Sequence, residues 1–154
     1  MLNIVLYHPE IPQNTGNIGR TCVLTGSRLH LIKPLGFEIT DSQIRRTGLD
    51  YWKDLDLVVH EDFAAFLASC PGARIHAITT KGDRYYHDVV YEDGDYLLFG
   101  QESKGLPDPV RDALSGHLLR VPMIKGSTRS LNLSNTAALV VYEALRSLGF
   151  PGMA

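Results

Sequence analysis

The sequence predicts a single α/β domain: a parallel sheet with helices on both faces. Three observations carry this. Short, almost continuously apolar runs recur ("LNIVLY", "LDLVVH", "DYLLFG"), as in strands buried on both faces. Segments of helical pattern separate them, giving strand–helix alternation. Gly, Pro, Asn and Ser gather in the segments that follow strands, with no repeat, low-complexity stretch or linker. At 154 residues, the chain is close to one typical domain and buries a core without staples.

Residues 2–7 read as the first strand. "GNIGRTCVLTG" (16–26) reads as a helix opened by Asn14 and Thr15 and closed by Gly26. Residues 28–34 form a second strand, and 42–49 a short helix capped by Asp41 or Ser42. A third strand covers 55–60, and the helix at 61–69 stops before Pro71 and Gly72. Strands follow at 74–80 and 95–100, a helical turn or two at 108–114, and a strand at 117–123. The last helix runs from Asn132 to Leu148, closed by Gly149 with Pro151 beyond.

Composition removes several function classes. The longest apolar run is far too short to span a bilayer, and "MLNIVLYHPE" lacks the basic start of a signal peptide. A cytoplasmic location is expected. Cys22 and Cys70 match no metal or redox spacing and read as reduced, mostly buried thiols. The six histidines form no i, i+4 pair, so no metal site is expected. Net charge is −2, so an RNA partner needs a local basic patch or surfaces pooled across an oligomer. "QIRRTGLDYWKD" supplies one candidate patch, with Arg45, Arg46 and Lys53 beside Tyr51 and Trp52. Cations suit phosphates and aromatics suit unstacked bases. A solvated helix face with a tucked aromatic pair accounts for these residues equally well.

In parallel sheets, ligands sit beyond the carboxyl ends of the strands. The loops there are "HPEIPQNTGNIGR", "TTKGDRYY", "GQESKGLPDP" and "PMIKGSTRSLNLSN". "NTGNIGR" lacks the GxGxxG of a dinucleotide fold, and no acidic residue ends the next strand. No GxSxG elbow supports a serine hydrolase. Glu102, between Gly100 and Gly105, reads as a site carboxylate or as a cap that accepts from backbone N–H groups. Arg20, near the mouth of a strand–helix loop, has the fork of donors that holds a phosphate.

"NTGNIGR", "LLFGQESKGLP" and "SLNLSNTAALVVYE" occur in the order of the three motifs of the SPOUT superfamily of RNA methyltransferases. With "RRTGLDY" and "TTKG", the whole chain resembles the minimal bacterial tRNA wobble-nucleotide 2′-O-methyltransferases of that superfamily (the TrmL or YibK type). The resemblance implies a parallel-sheet SPOUT fold with a C-terminal deep trefoil knot. It implies S-adenosylmethionine as cofactor, wrapped by the stretches around Ile78, Thr79 and Thr80, Gly100 to Gly105, and Val121 to Leu131. Expected cofactor residues are Ile78, Thr79, Gly100, Glu102, Gly105, Val121, Met123, Ser130 and Leu131. Apolar side chains at several of these positions also suit ordinary core. Arg20, Ser130 and Asn132 are the expected catalytic group. Arg20, Arg45, Arg46, Tyr51, Lys53 and Arg129 are the expected RNA contacts, and Tyr142 the expected mark of a homodimer interface. The implied substrate is the anticodon stem-loop of leucine tRNAs, methylated at cytidine or modified uridine 34. Alternatives are a SPOUT enzyme acting on another tRNA or rRNA nucleotide, and a non-catalytic RNA-binding protein.

Overall fold

The structure is a computed structural model describing residues 1–40 and 50–154. Among these residues, seven parallel strands form one sheet: β1 (Asn3–Tyr7), β2 (Arg28–Ile32), β3 (Leu57–His60), β4 (Ile75–Ile78), β5 (Arg84–Tyr85), β6 (Tyr96–Phe99) and β7 (Leu118–Arg120). Their order is β3-β2-β1-β6-β4-β7-β5. The described helices are α1 (Pro12–Thr25), α2 (Phe63–Ser69), α3 (Asp108–Ala113) and α4 (Leu133–Ser147).

The period-two geometry of strands divides the apolar runs between two cores. Ile4, Leu6, Leu29, Leu31, Leu97 and Phe99 pack with Ile18 and Cys22 of α1 and with Ala137, Val140, Val141 and Ala144 of α4. Val5, Ile32, Ala77 and Leu98 pack on the opposite face with Phe66 of α2 and Val110 of α3. Both faces are thus dry, which explains the near-continuous apolar strands. Cys22 and Cys70 are buried and unpaired, and burial pushes the Cys22 thiol up to about 12.

Several boundaries differ from expectation. The strand over 28–34 ends at Ile32 and that over 117–123 shortens to Leu118–Arg120, since Pro34 and Pro122 have no N–H for a ladder. The strand over 74–80 shortens to Ile75–Ile78. Three more boundaries shift for local reasons. α1 starts at Pro12 rather than after Thr15. Proline's fixed φ suits the first helical position, where no N–H is needed, so Asn14 and Thr15 fall inside the first turn and are buried. The third strand loses residues 55 and 56, because 50–54 wind into a 3-10 helix (Asp50–Asp54) whose Trp52 carbonyl accepts from the Leu55 N–H. α2 begins at Phe63 because Asp62 is its cap, accepting from the Ala65 N–H at 2.7 Å. The two-residue strand β5 was not expected; it pairs with β7 alone at the sheet edge. The helix expected over 42–49 lies outside the described residues. No described helix is long and apolar enough to cross a membrane.

Candidate active site

β1, β6, β4 and β7 are consecutive neighbours in the sheet, so the loops leaving their carboxyl ends converge. They enclose a cavity of about 470 Å³. Ile78, Thr79, Gly100, Glu102, Gly105, Val121, Met123, Ser130 and Leu131 all line it, and so does Asn132. Its apolar wall also includes Phe99 and Leu106, both buried.

The loop after β6 turns back tightly. The Gly105 N–H donates to the Gln101 carbonyl at 2.8 Å. A Cβ on Gly100 would lie 2.5 Å from the Gly105 carbonyl carbon, so only glycine permits this closure. The turn directs Glu102 toward the start of α1. Its carboxylate accepts from the N–H of Glu10 at 3.1 and 3.2 Å and from the N–H of Ile11 at 2.6 Å. In return, the Glu10 carboxylate accepts from the Ser103 N–H at 2.9 Å and the Ser103 hydroxyl at 2.6 Å. These Ser103 bonds hold the Glu10 carboxyl below the usual carboxylate range. Glu102 therefore acts as the cap that its position allowed, serving the entrance to α1, 92 residues earlier in the chain.

Asn132 is the N-cap of α4. Its Oδ1 accepts from the Ser134 N–H at 2.9 Å, the Asn135 N–H at 3.3 Å and the Ser134 hydroxyl at 2.6 Å. Its Nδ2 donates to Oδ1 of the buried Asn14 at 3.1 Å. Both ends of the amide are thus engaged, and Asn132 joins the first turns of α1 and α4. It acts as a positioning residue. The polar residues opening α4 divide accordingly: Asn132 caps the helix and holds the Ser134 hydroxyl, while Ser130 lines the cavity.

Arg20 is exposed on α1 and is not among the cavity residues. Its guanidinium lies 5.7 Å from the centre of the Tyr51 ring, within cation–π range. The Tyr51 hydroxyl donates to the Gly16 carbonyl. Burial pushes this phenol up to about 12, against the smaller pull of Arg20, so Tyr51 remains a protonated donor rather than a base. Trp52 lies over Gly19, where an added Cβ would approach the ring to 3.2 Å. The aromatic pair is thus held by α1, the tucked arrangement that the sequence left open. Lys53 is exposed; Arg45 and Arg46 lie outside the described residues. Arg129 is exposed in the loop before α4, beside rather than inside the cavity. Tyr142 is 44 % exposed on α4, near Leu139 at 38 %.

Glu10, and Asn14 in any role beyond opening a helix, were not expected at the site. Their partners are distant in sequence, although "PEIPQN" places both where a strand-end loop turns into a helix. Among the described residues, no group of three or more His, Cys, Asp or Glu is placed to hold a metal ion.

Comparison with known proteins places this geometry in a family. Residues 1–142 match the SpoU rRNA Methylase family. The chain is 53% identical over 153 residues to the tRNA (cytidine(34)-2'-O)-methyltransferase of Escherichia coli (strain K12), covering 99% of this chain and 97% of that one. It superposes, with a TM-score of 0.90 and 47% identity over 97% of each chain, on a structure described as giving insights into the 2-OH methylation of C/U34 on tRNA. A third similar structure is AviRb of Streptomyces viridochromogenes, a SpoU methyltransferase in complex with the cofactor AdoMet. It has a TM-score of 0.79 and 26% identity, covering 96% of this chain and 60% of that one. The chain belongs to the SpoU rRNA Methylase family, within the SPOUT methyltransferases.

Proposed function

We propose that this chain transfers a methyl group from S-adenosylmethionine to the ribose 2′-OH of nucleotide 34, a cytidine or modified uridine, in leucine tRNAs. It would act as one domain over residues 1–154, as a homodimer, in the cytoplasm. The observation that carries the reading is the convergence of every expected cofactor residue on one cavity at the carboxyl end of the sheet. The Escherichia coli relative's name supplies the nucleotide.

The cavity suits the cofactor's chemistry. Its volume lies in the range of small-ligand sites. Ile78, Phe99, Leu106, Val121 and Leu131 offer apolar surface to a purine, and Thr79, Gln101 and Ser130 offer polar groups. When bound, the sulfonium supplies an already activated methyl group. The protein's task is therefore chiefly alignment. The Glu10–Glu102 clasp fixes the loop after β6, and the Asn14–Asn132 bridge fixes the entrance to α4.

Arg20 holds a phosphate and stabilises the developing 2′-oxyanion while the hydroxyl proton passes to solvent, to that phosphate or to a neighbouring polar group. The ribose oxygen bonds the methyl carbon and S-adenosylhomocysteine departs. A guanidinium stays protonated at physiological pH and serves better as an electrostatic partner than as a base. Because Arg20 does not line the cavity of its own chain, the reading assigns it to the cavity of a partner subunit. Exposed Leu139 and Tyr142 on α4 support such an interface. The trefoil knot belongs to the same reading. Residues from the segment after β7 line the cavity together with the loops it would thread.

The test uses two anticodon stem-loop RNAs that differ only in a ribose or a 2′-deoxyribose at position 34. Transfer of labelled methyl to the first alone supports the reading. Equal labelling of both places the acceptor elsewhere.

A further inference from the structure

A second cleft, of about 740 Å³, opens beside the cofactor cavity, between the edge strand β5 and the loop after β7. The two share Thr80, Val121, Met123 and Ser130. Whatever occupies the second cleft therefore lies next to whatever occupies the first.

The second cleft is cationic. Arg120, Lys125 and Arg129 line it, and among the described residues no Asp or Glu does. The sequence contains no acidic residue between Asp112 and Glu143, so this segment is a basic island in a chain of net charge −2. Among the described residues, Arg28, Lys33, Arg74, Arg111 and Arg146 are each paired with a carboxylate. Among the described residues, no such pair involves Arg120, Lys125 or Arg129.

Arg120 is held in place without being neutralised. Its guanidinium lies 4.8 Å from the centre of the Tyr85 ring, and Nη2 donates to the Tyr85 hydroxyl at 3.1 Å. Both contacts fix the planar group while preserving its charge. The unexpected strand β5 thereby gains a purpose, since it carries Tyr85 to β7, where Tyr85 pairs with Arg120. Beyond it, Ser127 Oγ accepts from the Arg129 N–H at 3.2 Å and donates to the Arg129 carbonyl at 2.9 Å, shaping the loop that presents Arg129.

We infer that this cleft binds the phosphodiester backbone of the RNA strand whose ribose enters the cofactor cavity. The inference rests on the proposed function and assigns its RNA surface to Arg120, Lys125 and Arg129. Three unneutralised cations lining one cleft suit the phosphates of a strand, and the shared wall delivers the adjoining ribose to the methyl donor. The Tyr51–Trp52 pair, engaged by α1, is not needed for this contact.

The experiment titrates a fluorescent anticodon stem-loop RNA into the full-length protein at several salt concentrations. Each phosphate contact adds about 0.7 to 0.9 to the slope of log affinity against log salt. Lys125→Gln and Arg129→Gln should each lower the slope by about that amount. The Arg120→Gln/Lys125→Gln/Arg129→Gln variant should lower it by about 2 to 3 and weaken binding at least tenfold at physiological salt. Lys125→Arg/Arg129→Lys should retain the slope, and S-adenosylmethionine affinity reports that the fold is intact. If the wild type methylates the stem-loop while the single and triple variants bind it with unchanged slope and affinity, the cleft is not the RNA surface. If the wild type neither binds nor methylates it, the underlying functional reading fails instead.

Discussion

Glu102 accepts from the backbone N–H of Glu10, while Glu10 accepts from the backbone N–H of Ser103, next to Glu102. This reciprocal clasp ties the loop that closes the cavity to the loop that launches α1. Glu102→Ala removes the acceptor from two N–H groups. It should cost about 2 kcal/mol of stability, the scale of hydrogen bonds to a charged group, and weaken cofactor binding more than tenfold. Glu10→Gln should cost less, because its amide oxygen still accepts from Ser103. Urea unfolding and cofactor titration check both effects. Unchanged cofactor affinity in Glu102→Ala would separate the clasp from the site.

Asn132→Ala removes the α4 cap and leaves Asn14 without its donor. The expected cost is about 1 to 2 kcal/mol in urea unfolding. Asn132→Asp should retain most of the stability, because the carboxylate still caps and Asn14 can turn its amide to donate. A large loss in the Asp variant would contradict the capping role.

The loops were legible because their Gly and Pro residues stand out between apolar strands, and the parallel sheet then brings those loops together. The contact that joins α1 to α4 was hidden. Asn14 and Thr15 resemble a cap, but Pro12 starts the helix first, and Asn14 instead meets a residue 118 positions away. Strand β5 is two residues long and owes its existence to pairing with β7, so no periodicity announces it. The packing of Trp52 on Gly19 required both partners to be seen together.

A buried histidine chain makes stability depend on pH. Asn3 Nδ2 donates to the Gly94 carbonyl at 3.3 Å, which orients Asn3 Oδ1 toward His30 Nε2 at 3.0 Å. His30 Nε2 therefore carries the proton, and Nδ1 accepts from His60 Nε2 at 3.0 Å. Burial, aided by His60, lowers His30 to about 4, and burial also lowers His60. The folded state then binds fewer protons than the unfolded chain. Stability should be full above about pH 6.5 and fall as pH drops toward 4, by about 3 kcal/mol for His30 alone. Urea unfolding across this window checks the slope; stability flat from pH 7 to 4 would contradict it.

Assignment of Arg20 to the partner's cavity predicts complementation. Arg20→Ala and a cavity-filling Ser130→Trp variant should each be inactive as homodimers. Mixed and reassociated, they should regain activity, because one intact cavity meets one intact Arg20. Tyr142→Glu should shift the protein toward monomer in sedimentation and lose activity with it. No recovery on mixing, with heterodimers demonstrated, would place Arg20 in its own chain's site.

The most direct measurement is transfer of labelled methyl from S-adenosylmethionine to bulk bacterial tRNA that lacks wobble 2′-O-methylation, followed by mass spectrometry of the nucleosides. Label is expected in 2′-O-methylcytidine or a 2′-O-methylated uridine from the leucine anticodons. Label in a guanosine, or at a position other than 34, would contradict the proposed function.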